Sequence, residues 1–179
     1  MRRIEFLRGI TATTLVPNES IKTIIFNEKE TIDILVATIE QFYQGRLVQP
    51  YSEDIVISAI ENDINPDLIA IIGMIESGGG NGAPNGFWFG VTNVKLETRK
   101  EEIDYVAQLL AGKHLPQYKY AEQDIQKLHI FNGGGNNWWN DPSYPNKYIF
   151  HKNELDEIRK QLTLNSEIDK ITGIESKNY

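Results

Sequence analysis

The residue best placed to do chemistry is Glu76, which stands at the end of an apolar run and directly before a glycine cluster in AIIGMIESGGGNGAPNGFWFGVTN, residues 70–93. Apolar surroundings disfavour the ionised form of a carboxyl group, and a protonated carboxyl is what a general acid requires. The glycines that follow let backbone approach a ligand without side chains blocking access. The plainer alternative is a solvated acid at a frayed helix end. Asn132, in IFNGGGNN, ends a second helical stretch and serves either as a cap before glycine or as a hydrogen-bond partner for a sugar N-acetyl group. Trp138, Trp139 and Tyr144 follow it. An aromatic face covers sugar C–H groups while the hydroxyls stay wet, so these rings suit either pyranose stacking or ordinary packing of a long loop.

Other chemistries lack their residues. His114, His129 and His151 show no His-Glu-x-x-His arrangement, and neither glycine triplet leads into the Lys-Ser/Thr of a phosphate-binding loop. There is no serine nucleophile elbow. With no cysteine there is no disulfide framework, thiol nucleophile or thiolate zinc site. No metal and no cofactor are expected.

These residues must be held by a scaffold, and 179 residues suffice for one buried core. Hydrophobic residues at 40% and charged residues at 24% are ordinary globular values. A formal charge of -7 argues against a nucleic-acid partner, which calls for clustered Lys and Arg. The opening MRRIEFLRGITATTLVPNES has no continuous apolar core, so no secretion signal is expected. Nothing approaches the roughly 18 consecutive apolar residues of a membrane span.

The spacing of Ile32, Leu35, Val36, Ile39 and Phe42 predicts an amphipathic helix over 31–43, closed by Gly45. NESIKTIIFN before it is a shorter helix or an arm. Ser52 with Glu53 and Asp54 predicts a capped helix over 53–62. Asn65-Pro66 predicts another, from Pro66 to Glu76 or Ser77. Residues 78–93 read as loop plus a small hairpin around FWFGV. Thr98 and Glu101 have capping-box spacing ahead of a stripe of Ile103, Val106, Ala107 and Leu110. Further helices are expected over 121–131, over 153–162 and, more weakly, over 166–171. The expected class is mainly α with a small central strand and loop lobe.

The order of ESGGG, then GA, then FGVTN, then IFNGGG with a tyrosine downstream in YPNKYI resembles the lysozyme-like lytic transglycosylases and goose-type lysozymes. The resemblance covers about residues 52–160. It implies an α+β lysozyme-like catalytic domain over 51–179, preceded over 1–50 by a helical extension or docking arm. It implies Glu76 as catalytic acid, and Ser77, Gly90, Asn93, Phe131, Asn132 and Tyr148 in the substrate cleft; Trp138 and Trp139 join this set on their stacking chemistry alone. Val91-Thr92-Asn93 stands where the family has Leu-Met-Gln, and Phe131 where it has Tyr.

Hydrolytic glycosidases generally use two carboxyl groups, yet residues 77–96 contain no Asp or Glu. A single-acid mechanism is therefore expected, which the resemblance implies is a transglycosylation of peptidoglycan glycan strands. Glu97 and Asp141 are the acids that would restore a hydrolytic reading, as a muramidase or glucosaminidase. An inactive glycan-binding or structural module is the alternative of another class. The substrate implies action outside the cell membrane, as a virion component or as an excised domain of a secreted protein.

Overall fold

The computed structural model describes residues 18–92, 94–133 and 140–172. Six α-helices follow in order: α1 (Asn18–Phe42), α2 (Ser52–Glu61), α3 (Pro66–Ser77), α4 (Arg99–Leu110), α5 (Asp124–Gly133) and α6 (Tyr144–Thr172). Short 3-10 turns lie at Gln49–Tyr51 and Pro116–Tyr120. The class is mainly α. Among the described residues there is no strand, so the hairpin expected around FWFGV is corrected to a loop. Trp88 and Phe89 are buried there, Phe87 is half-buried, and the Trp88–Phe89 peptide is bonded to side chains of α3 and α4 rather than to a neighbouring strand.

The chain divides into two compact units, Met1–Ile32 and Asp33–Tyr179, with the boundary inside α1. The first contributes to the description only the start of that helix; all that follows concerns the second. This unit begins before residue 51, because Ile39, Phe42, Tyr43 and Val48 are core residues of it.

Helix α3 is the centre of the core. Asn65 caps it by accepting the N–H of Asp67 at 3.1 Å, and Pro66 occupies the first turn, where a missing N–H costs nothing. Leu68, Ile69, Ala70, Ile71 and Ile72 are all 0% exposed. A helix apolar all round is a buried helix, and each of its large side chains contributes about 1.5–3 kcal/mol on leaving water. Gly73 gives the room this burial needs. A Cβ there would lie 2.6 Å from the Tyr43 hydroxyl and 2.7 Å from the Phe89 ring. The Tyr43 hydroxyl donates to the Ala70 carbonyl, so the end of α1 is bonded to the middle of α3.

Helix α2 packs on α3 and α4, and α3 packs on α6. Ser52, expected as an N-cap, is instead the first residue of α2 and donates to the Gln49 carbonyl at 2.8 Å. The capping box at α4 forms as its spacing predicts, with both the Thr98 and the Glu101 bonds made. Residues 144–172 make one helix in place of the two expected pieces; no glycine or proline interrupts it after Pro145. Asp67, buried at the start of α3, binds Arg159 and lies 3.6 Å from Lys152, both on α6. Tyr144 at the start of α6 meets Glu76 at the end of α3. Tied at both ends in this way, the two helices run antiparallel. Among the described residues no helix is long and apolar enough to cross a membrane.

Candidate functional site

Helix α3 ends where Gly78 adopts a left-handed conformation (φ 60°), which reverses the chain directly after Glu76 and Ser77. The two side chains have opposite fates. Ser77 is 4% exposed and wholly engaged. Its one hydroxyl hydrogen is shared between the Trp88 carbonyl at 2.8 Å and the Gly73 carbonyl at 3.1 Å, and its oxygen accepts the Gly80 N–H at 2.8 Å. Expected as a substrate contact, it is corrected to a staple holding the loop to α3.

Glu76 is exposed. This corrects the apolar setting expected for it: in the last turn of α3 Met74 and Ser77 are buried, and Glu76 lies on the side of the helix that faces solvent. Two groups nevertheless define where the carboxyl sits. The Tyr144 hydroxyl donates to Oε1 at 2.8 Å. On the other side lies Gly90, whose φ of +73° belongs to the left-handed region. A Cβ at Gly90 would be 2.7 Å from Oε2 and 2.9 Å from Cδ, so only glycine lets the loop pass this close to the carboxyl.

Of the two readings left open for Tyr144, sugar stacking or packing, its 2% exposure favours packing. Burial, then the charge of Glu76 and the hydrogen bond to it, push its phenol well above the ordinary value. It therefore stays protonated and acts as a donor. Tyr148, expected in the cleft, lies one helical turn further along α6 and faces Asp124. Burial and then that charge push its phenol up to about 12.

Asn132 accepts the Asp141 N–H at Oδ1, 2.9 Å, and its carbonyl accepts from the Asn140 side chain. Its oxygen is thus used to close the end of α5 onto the segment before α6. Phe131 is half-buried beside it. Asn93, Trp138 and Trp139 lie outside the described residues.

The two candidate second acids, Asp141 and Glu97, have settings of their own. Asp141 takes the Ser143 N–H at 2.8 Å and hydroxyl at 2.6 Å on Oδ1, and the Lys147 ammonium at 2.8 Å on Oδ2. The bonds from Lys147 and then Ser143 hold its carboxyl down at about 2. Its charge stands at the entry to α6. Glu97 is exposed just before α4, where its N–H bonds Glu101 at 2.7 Å.

Sequence reasoning missed Arg99 and Glu102. Glu102 is 1% exposed. Its Oε1 accepts the Phe89 N–H at 2.8 Å and its Oε2 the Arg99 guanidinium at 3.2 Å. Arg99 also donates to the Gly86 carbonyl at 2.6 Å and lies 4.1 Å from the centroid of the Trp88 ring. A signal was present: Glu102 precedes Val106 by four residues and so belongs to the buried stripe of α4.

A separate groove of about 450 Å³ runs between the Pro116–Tyr120 turn and α5, lined chiefly by Tyr120, Ile125, His129 and Ile130. Among the described residues, none of those expected in the cleft lines it. Among the described residues no three histidines and acids gather in a metal-binding group. No protein-family model matches the chain, nor does any curated protein or solved structure.

Proposed function

We propose that this helical unit is a lysozyme-like domain that cleaves peptidoglycan at the β-1,4 bond between N-acetylmuramic acid and N-acetylglucosamine, with Glu76 as its one acid and base. The α+β character of such a domain would reside in the loop lobe between α3 and α4. The observation that carries the reading is the Glu76 carboxyl, exposed at the end of a buried helix and bracketed by the Tyr144 hydroxyl and the α-carbon of Gly90.

With Tyr144 donating to Oε1, Oε2 is the oxygen that hands over a proton. That proton goes to the glycosidic oxygen as its bond to the muramic acid anomeric carbon breaks. The carboxylate left behind then takes the proton of the 6-hydroxyl of the same sugar as that oxygen bonds to the anomeric carbon. The products are a 1,6-anhydro end and a free 4-hydroxyl, and no water is consumed. A strand lying over the exposed carboxyl supplies the exclusion of solvent that strengthens its electrostatics.

Two features favour this over hydrolysis. Residues 77–96 hold no acid, and both oxygens of Asp141 are committed to Ser143 and Lys147. Mass analysis of digested cell walls tests the reading. Anhydromuramic ends support it; reducing muramic ends would make the protein a muramidase, reducing glucosamine ends a glucosaminidase. Intact walls with bound protein would make it a glycan-binding module.

A further inference from the structure

The peptide unit joining Trp88 to Phe89 is held from both sides. Its carbonyl accepts from Ser77 on α3 at 2.8 Å, and its N–H donates to Glu102 on α4 at 2.8 Å. Both are side-chain bonds, and both side chains are buried. The next residues are Phe89, 0% exposed against Gly73, and Gly90, which lies against the Glu76 carboxyl. Gly90 is thus the residue directly after the clamped unit, so a shift of that peptide moves the loop at the carboxyl. Ser77 is itself the neighbour of Glu76, so one half of the clamp moves with the acid. Glu102 is the half that fixes the loop against the rest of the fold. Arg99 balances its charge and reaches out to the Gly86 and Pro84 carbonyls, extending the hold along the loop.

A carboxylate taken out of water is costly, and an alternative acceptor for one N–H would be cheaper. Its place here is explained by geometry: one side chain must accept a backbone N–H and an arginine at the same time. We propose that Glu102 is a positioning residue for Glu76, acting through the Phe89 N–H to set Gly90 against the carboxyl. This rests on the function proposed above for Glu76.

Two substitutions at Glu102 separate positioning from charge balance. Glu102→Gln keeps an acceptor at the right reach but loses the charge facing Arg99. Glu102→Asp keeps the charge but is one methylene short of the Phe89 N–H. Positioning through that N–H ranks glutamine above aspartate: Glu102→Gln retains kcat on peptidoglycan within about threefold, while Glu102→Asp loses at least about tenfold, KM staying within twofold in both. The reverse order would overturn the proposal in favour of an ion pair that only holds the fold.

A second readout is independent of cleavage. In Glu102→Asp, exchange of the Phe89 amide accelerates, and the α-proton resonances of Gly90 and the carboxyl-carbon resonance of Glu76 shift, while core amides of α3 keep their protection. Unchanged Gly90 and Glu76 resonances would overturn the proposal whatever the activity. If the parent protein cuts no peptidoglycan, the functional reading falls, and these resonances alone decide the positioning role.

Discussion

The phenol of Tyr144 donates to Oε1 of Glu76 at 2.8 Å, joining the first residue of α6 to the last turn of α3 across 68 positions of sequence. The opposite oxygen of that carboxyl faces Gly90 from the loop between α3 and α4. Three segments thus converge on one acid, and each can be perturbed separately.

Glu76→Gln removes the proton donor while keeping the size of the side chain. Proton transfer by a positioned acid supplies about 100- to 10,000-fold, so wall-clearing activity should fall by at least about a hundredfold. A negative charge in the last turn of a helix opposes the dipole by about 0.3–1 kcal/mol. Losing it offsets the weaker hydrogen bond from Tyr144, so the thermal midpoint should stay within a few degrees. Turbidity assays and a melt check both parts. Retention of most activity would move the acid elsewhere.

Tyr144→Phe keeps the buried ring and deletes the hydroxyl. The lost hydrogen bond should lower stability by about 1 kcal/mol. With Oε1 untethered, turnover should drop on the order of tenfold at little change in KM, as expected when a reacting group loses its orientation. Steady-state kinetics beside a denaturant titration test this. Lower stability with unchanged turnover would leave Tyr144 as a packing residue.

Gly90→Ala forces a left-handed residue to carry a Cβ, at about 1–2 kcal/mol. That atom would meet Oε2 at 2.7 Å, and the Glu76 side chain is the flexible partner, so the carboxyl is what moves. The variant should remain folded by circular dichroism yet lose at least about tenfold in activity. Near-normal cleavage would show that the close approach of the loop has no part in the reaction.

Asp141 gives a pH signature. Its folded value of about 2 lies below the ordinary 3.8, so the group stabilises the fold fully above the ordinary value, and that contribution is lost as pH falls towards about 2. The thermal midpoints of the parent and of Asp141→Asn should therefore differ at pH 6 and converge near pH 2. Under a single-acid mechanism the variant also keeps its cleavage products and most of its turnover. Loss of activity at full stability would return Asp141 to the role of a second carboxylate.

Much of the scaffold was legible in the sequence because its signals are local. Asn65-Pro66 starts α3 and Thr98 with Glu101 starts α4 through bonds spanning two or three residues. The unbroken apolar run from Leu68 to Ile72 requires burial wherever the helix lies. Glu76 before three glycines could be singled out for the same reason: the helix must end there, and a side chain in its last turn is available to a ligand.

What surrounds that side chain was decided only in three dimensions. Which side of the last turn of α3 faces solvent depends on how that helix packs, and it is the side of Glu76, while Ser77 is buried. Which tyrosine meets the acid depends on where α6 begins; a start at Tyr144 buries that ring beside Glu76 and turns Tyr148 towards Asp124. FWFGV has the composition of a strand, yet no partner strand adjoins it among the described residues, and Ser77 and Glu102 bond its Trp88–Phe89 peptide instead. Strand pairing and the contacts of a buried carboxylate join residues far apart in the chain. Local periodicity carries no record of such partners, and packing alone selects them.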